Sequence, residues 1–310
     1  MRTLSLICYA AVLSVSTVIS AQDISGNVFF NYTHSGEKDA VNGFGFRRVY
    51  ITINKKVSDS ISYKLQTDVD YNNSPQYHLY IKIAKVDWKT NFGKVVVGLQ
   101  GMNMFKVQEN TWGHRYVEKS AMDQFKYSAS ADLGIGMYRS INKFGFSTLI
   151  TNGSGYKKSE TDSHKKISFR TVYGEQKLNK NDGFNVGGVY STEPYDVDSV
   201  TVKSKTVIGF FGGYSGKGFR SGVEWSRKND AGIDVTSQLT SLYGNYRVKP
   251  NVAVFMRYDK VSPNTQESSE DKNYMIAGLE FSPGKGLIIA PNYRTAGSEN
   301  VIVLNFEFKF

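Results

Sequence analysis

The chain ends in Val301-Ile-Val-Leu-Asn-Phe-Glu-Phe-Lys-Phe310, and from Leu304 onward apolar and polar side chains alternate. Residues two apart share one face of a strand, so Ile302, Leu304, Phe306, Phe308 and Phe310 make a greasy side. Asn305, Glu307 and Lys309 make the wet one. Ile61, Tyr63, Leu65, Thr67 and Val69 oppose Ser62, Lys64, Gln66, Asp68 and Asp70 in the same manner. So do Ile167, Phe169, Thr171 and Tyr173 against Lys166, Ser168, Arg170 and Val172. An amphipathic helix needs apolar residues three and four apart, a spacing that fits none of these segments.

The alternation recurs in about sixteen segments. They fall near 23–33, 44–55, 60–71, 76–88, 93–101, 129–139, 142–151 and 164–174, then near 182–194, 200–214, 217–227, 235–248, 250–260, 273–283, 286–294 and 299–310. Each has roughly the ~9–11 residues with which a tilted strand crosses a bilayer. The connections keep a parity. The even ones are short and rich in turn formers, among them Val57-Ser58-Asp59, Thr90-Asn91-Phe92, Ser215-Gly216, Lys249-Pro250 and Ser282-Pro283-Gly284-Lys285. The odd ones, such as 34–43, 102–128, 152–163, 193–199, 227–234 and 261–272, are longer, polar and charged. Short periplasmic turns alternating with long outer loops are the topology of an outer-membrane barrel, and a soluble all-β protein has no reason to hold that parity. The fold expected is all-β: a transmembrane antiparallel β-barrel of about sixteen strands, occupying 22–310 as a single domain.

The first 21 residues have a different character. Arg2 gives a positive start, Leu4 to Ile19 are mostly apolar, and Ile19-Ser20-Ala21 offers a cleavage position before Gln22. That pattern predicts a secretory signal peptide over 1–21. The single cysteine, Cys8, falls inside it, so the exported chain cannot rely on disulfides. Apolar residues make up only 40% of the chain while aromatics reach 14%, a combination suited to strands that bury every second side chain in lipid. Beyond the leader no apolar run is long enough for a spanning helix.

Several short motifs point to one family. Phe46-Arg47-Arg48-Val49-Tyr50-Ile51 followed by Ile61-Ser62-Tyr63-Lys64-Leu65-Gln66-Thr67-Asp68 resembles the opening hairpin of the phosphate-selective porins O and P. Val97-Gly98-Leu99-Gln100, Phe105-Lys106 and Val117-Glu118-Lys119-Ser120 are similar to the strand that leads into that family's third loop, and to the loop itself. Ala290-Pro291-Asn292-Tyr293-Arg294 resembles its approach to the last strand. The terminal Phe310 resembles the aromatic by which outer-membrane proteins are handed to the barrel assembly machinery. Two departures count: Val107 replaces the Pro or small residue usual after that lysine, and the dense arginine ladder of a dedicated phosphate channel is not seen. The resemblance therefore implies a porin, a water-filled channel for passive diffusion of small hydrophilic solutes, more than it implies phosphate. It also implies a homotrimer in the outer membrane, in contact with lipid and lipopolysaccharide.

By the same analogy the long third outer loop is expected to fold into the lumen as a constriction, with an outward loop as the alternative. Trp112 to Phe125 loses the alternation and contains Glu118, Lys119, Ala121 and Met122, which predicts a short helix there. Lys106, His114, Arg115 and Lys119 would then stand at the constriction.

Extending the alternation turns Arg48, Lys64, Lys82, Lys166, Arg170, Arg220, Arg257, Arg294 and Lys309 toward the lumen. Asp68, Asp70, Glu224, Asp259, Glu280 and Glu307 turn inward as well. The formal net charge of the chain is +10, and fixed positive charge in a narrow passage favours anions, so a weak anion preference is expected. Mixed inward charges that merely keep the lumen wet, and a structural or adhesive barrel with a closed lumen, are the alternatives.

An enzyme is the less favoured reading. His34, His78, His114 and His164 are scattered without metal-ligand spacing, Gly153-Ser154-Gly155 lacks the spacing of a nucleophile elbow, and no glycine-rich phosphate loop precedes a helix. No cofactor or metal is expected. Nucleic-acid binding is not expected either, because the basic residues alternate with apolar ones and form no single patch.

Overall fold

The computed structural model describes residues 23–37, 40, 42–70, 77–267, 269, 271–297 and 299–310. The predicted leader, with Cys8, lies outside the described residues. The first eight strands are β1 (Asp23–Ser35), β2 (Gly43–Lys56), β3 (Ile61–Asp70), β4 (His78–Thr90), β5 (Gly93–Gly101), β6 (Ala131–Ile141), β7 (Phe144–Thr151) and β8 (Lys166–Gly174). The second eight are β9 (Gly183–Asp196), β10 (Val202–Gly216), β11 (Phe219–Asp230), β12 (Val235–Lys249), β13 (Val252–Ser262), β14 (Lys272–Gly284), β15 (Leu287–Ala296) and β16 (Glu299–Lys309). Each predicted segment falls on one strand. Every strand pairs antiparallel with its neighbours in sequence, and β1 closes on β16. Closure leaves no edge, which is what a sheet in hydrocarbon requires, since an unpaired backbone N–H or C=O would find no water there.

The two faces are sorted as the alternation predicts. Along β13, Ala253, Phe255, Arg257, Asp259 and Val261 are buried inside, while Val254, Met256, Tyr258 and Lys260 point out. Leu133, Ile135, Phe210, Leu242, Met256 and Ile302 are all exposed on the outer wall, where lipid rather than water receives them. At the seam, Phe30 of β1 stacks on Phe306 of β16 with ring centroids 4.5 Å apart. Phe310 finishes the closure: its carbonyl accepts the Gly26 N–H at 2.9 Å, and its own N–H donates to the Gly26 carbonyl at 3.2 Å. A Cβ on Gly26 would sit 2.0 Å from the Phe310 ring, so only glycine lets the last aromatic lie across β1.

Among the described residues the pairing shifts register at four places, and two of these bulges reset which charges reach the lumen. Between β1 and β2, Phe29 faces Arg48 but Phe30 faces Phe46, so Arg47 is an extra residue. Between β3 and β4, Gln66 faces Ile83 but Thr67 faces Ile81, so Lys82 is extra. An extra residue reverses the parity of everything beyond it. Consequently Arg47 and Arg48 both reach the interior, and Lys85 joins Lys82 there.

The long connection from β5 to β6 enters the barrel. It carries two short helices, α1 (Lys106–Trp112) and α2 (Ala121–Gln124). The helix expected within 112–125 is α2. The longer α1 precedes that window, with Val107, Gln108, Thr111 and Trp112 buried at helical spacing. Gly113, in the left-handed region at φ 69°, ends it. Met104, Phe105, Val107, Met122 and Tyr127 pack on Val172, Val189, Val207, Phe211, Leu239 and Val261. Trp112, Tyr116 and Val117 pack on Phe29, Tyr243, Phe255, Ile276 and Ala290. The loop is thereby pressed mainly against β8–β15.

Candidate functional site

The loop is held by arginines from the wall. Glu118, almost fully buried, accepts Arg47 Nη2 at 2.8 Å and Arg294 Nη1 at 2.8 Å. The Val117 carbonyl accepts Arg294 Nη2 at 2.9 Å and also the Arg47 guanidinium. Arg257 binds Asp259 through Nε and Nη2, lies over the Trp112 ring at 5.5 Å, and donates to the Lys119 carbonyl. Arg220 Nη2 donates to the Trp112 carbonyl at 3.3 Å. A planar fork that can take two acceptors at once suits this task better than a lysine would. Burial acts to raise the Glu118 carboxyl, but Arg47 and Arg294 override it and hold its pKa at about 2. Within the loop, Arg115 Nε meets Glu109 at 2.9 Å and Arg115 Nη1 meets Asp123 at 3.1 Å. Burial opposes ionisation of both Arg115 and Glu109, yet their mutual attraction wins, keeping the arginine raised and the glutamate lowered.

At the loop tip, His114 is fully buried. Its Nδ1 lies 2.9 Å from the Trp112 carbonyl and its Nε2 lies 3.2 Å from the Glu280 carboxylate, which also accepts the Tyr116 hydroxyl at 2.9 Å.

Because the loop leans on one side, a cavity of about 530 Å³ remains between it and β1–β6. Strand lysines Lys64, Lys82 and Lys85 face it, and Lys106 and Arg115 face them from the loop. Lower down, Lys94, Tyr138 and Arg170 line both this cavity and a second one of about 850 Å³, so they mark a neck between the two. The second cavity is bounded by turn residues such as Asn91, Phe92, Glu175 and Lys177, which places it at the short-turn mouth. Lys309 also reaches the upper cavity, and the carboxylates there are Glu109 and Glu307. Basic side chains clearly outnumber acidic ones along the passage.

The predicted inward cations thus divide by task. Lys64, Lys82 and Arg170 border the passage, as do Lys106 and Arg115 of the loop. Arg220, Arg257 and Arg294 are committed to the loop. Arg48 pairs with Asp68 at 3.4 Å, and Lys166 with Glu193 at 2.8 Å. His114 is behind the loop rather than on the passage, and Lys119 contributes its carbonyl to Arg257. Simple alternation missed Arg47 and Lys85 because each depends on a bulge. Lys94 shares the parity of Val96 and Gln100 on β5, so the pattern in the sequence was enough to find it.

A closed barrel with a lipid-facing exterior, narrowed by a loop folded inward and leaving a charged aqueous passage, is an outer-membrane porin: a channel for passive diffusion of small hydrophilic solutes. The family profile described as "Phosphate-selective porin O and P" matches residues 26–208, and the chain belongs to that family. Among curated proteins none matches it by sequence. By fold it is similar to OmpF of Salmonella typhi in a complex with daunomycin, at TM-score 0.71 and 12% identity, covering 93% of this chain and 97% of that one. The anion-selective porin from Comamonas acidovorans superposes at TM-score 0.70 and 11% identity, covering 94% and 99%. OmpT of Vibrio cholerae, in its in-vitro folded trimer form, gives TM-score 0.67 and 13% identity, again covering 94% and 99%.

Proposed function

We propose that this porin passes small anions more readily than cations, and that it does no chemistry on them. The observation that carries the reading is the wall of the passage, where Lys64, Lys82, Lys85, Lys94, Lys106, Arg115, Arg170 and Lys309 outnumber the carboxylates, even though Lys82, Lys85, Lys106 and Arg115 are paired with Asp68, Asp87, Glu109 and Asp123. In a constriction, such fixed charge lowers the electrostatic cost of an anion and raises that of a cation. The anion-selective neighbour from Comamonas acidovorans supports the same direction. Residues 1–21 act as the export signal, and Phe310 as the terminal aromatic read by the assembly machinery. The working unit is a homotrimer, as in the trimer form of the Vibrio cholerae neighbour. Its outer loops meet lipopolysaccharide, and no cofactor takes part. The deciding experiment is the reversal potential of purified protein in a planar bilayer under a potassium chloride gradient. A chloride-preferring sign supports the reading, and a potassium-preferring sign ends it.

A further inference from the structure

Most of the arginines that could grip a compact oxyanion are already engaged by carboxylates, although Arg170 still lines the neck. Arg47 and Arg294 are spent on Glu118, Arg257 on Asp259, and Arg115 on Glu109 and Asp123. Otherwise the passage is faced mainly by lysines, compact point charges without a two-pronged fork, of which Lys82, Lys85 and Lys106 also meet Asp68, Asp87 and Glu109. Two of these lysines are matched with an aromatic ring. The Lys82 ammonium sits 4.9 Å from the Tyr50 ring centroid and 5.2 Å from that of Tyr156. At the neck, Lys94 lies 5.1 Å from the Tyr138 ring, its register partner across β5 and β6. Tyr50 and Tyr138 are half-buried and line the same cavity as Lys64, Lys85 and Lys106. Its volume of about 530 Å³ is large enough to admit a small organic molecule.

We infer that the passage is a rail for organic anions, and that its preferred solutes are carboxylates bearing a planar ring. The carboxylate is passed between ammonium groups while the ring lies against Tyr50 and then Tyr138. A small oxyanion uses only the ammonium half of this surface. The inference rests on the anion reading above and specifies the solute for it.

The test is block of chloride current through single channels by benzoate, by acetate and by inorganic phosphate, at fixed ionic strength. Benzoate and acetate carry the same charge, so their ratio isolates the ring. Benzoate should block at about a tenfold lower concentration than acetate, since an aromatic contact adds ~0.5–1.5 kcal/mol to the apolar area it buries. It should also block below the concentration at which phosphate does. In Tyr50→Leu and in Tyr138→Leu the benzoate-to-acetate advantage should shrink several-fold, whereas Lys64→Gln should weaken both carboxylates together. Heat-modified gel mobility verifies that each variant is folded. Benzoate no better than acetate, phosphate better than benzoate, or an advantage unchanged in both tyrosine variants would overturn the inference while the chloride-preferring reversal potential stands. A potassium-preferring reversal potential would instead remove the anion reading beneath it.

Discussion

Arg294 of β15 and Glu118 of the inward loop meet at 2.8 Å, both nearly excluded from water, and this contact ties the constriction to the wall. Arg47 completes the arrangement from β2, so one carboxylate bridges strands on both sides of the seam between β1 and β16. A buried ion pair adds little by itself, but removing one partner leaves an uncompensated charge and costs ~3–5 kcal/mol. Glu118→Gln keeps the shape and removes the charge. We expect the loop to loosen from β2 and β15 while the barrel stays closed. Single channels of the variant should show higher conductance and more open-channel noise. Wild-type conductance and noise would mean that the hydrophobic packing around Trp112 and Val117 is enough to hold the loop.

The same carboxylate sets an acid limit. Its pKa, held at about 2 by Arg47 and Arg294 against the opposing effect of burial, lies below the ~4.3 of a free glutamate. A depressed carboxylate stabilises the folded arrangement fully above the unfolded value and loses that contribution as pH falls through the folded one. Loop docking should therefore weaken between about pH 4 and about pH 2, and remain insensitive to this group above that window. Open-channel noise recorded on stepwise acidification should rise within the window in the wild type. Glu118→Gln should be noisy throughout and show no step there.

A second constraint on the loop is steric. A Cβ on Gly213 would lie 2.6 Å from Thr111 Cγ2 of α1 and 3.0 Å from Leu178 Cδ1, and one on Gly222 would lie 2.9 Å from the same Thr111 methyl. Thr111 of α1 packs where two positions of the wall carry no side chain. Gly213→Val should cost ~1–3 kcal/mol by overpacking and displace α1 into the passage, lowering conductance. Adding Thr111→Ala removes the methyl that clashes and should restore part of both. Thermal unfolding followed by gel mobility, with conductance on the same samples, measures the coupling. Additive effects of the two substitutions would show that Thr111 does not mediate the clash.

Most of the barrel was legible because a strand in lipid obeys a strict rule. One face must be apolar, and a one-residue slip would carry charges into hydrocarbon. Hence Ile302, Phe306 and Phe308 locate β16, and Val254, Met256 and Tyr258 locate β13, with no knowledge of partners. The loop obeys no such periodicity. Its α1 has the apolar spacing Val107, Thr111 with Trp112, too short to stand out, and it owes its helicity to docking on β10 and β11. Nor could the sequence divide inward arginines into those lining the passage and those clamping the loop, since that depends on where Glu118 and the Lys119 carbonyl come to rest. The bulges were the other hidden variable, because a reversal of parity leaves no mark in a run where both registers look amphipathic.

Lys85 is the sharpest consequence of such a bulge. Uninterrupted alternation from Lys82 would turn it toward lipid, whereas the extra residue in β4 brings it to the passage. There it pairs with Asp87 at 2.6 Å and lies opposite Lys64 in the register of β3 and β4. Neutralising it removes a cation from the wall and leaves Asp87 with the more distant Lys94, at 3.9 Å, so the local field turns toward the acid. At a few ångströms in water-like dielectric one charge is worth ~0.5–1 kcal/mol, so Lys85→Gln should lower the chloride-to-potassium permeability ratio about two- to fivefold. Lys260 supplies the contrast, since it stands on the outer face of β13 near Asp271, and Lys260→Gln should leave the ratio unchanged. Reversal potentials of the two variants in the same salt gradient decide the matter. Equal shifts would return Lys85 to the outside and remove the bulge from the account of selectivity.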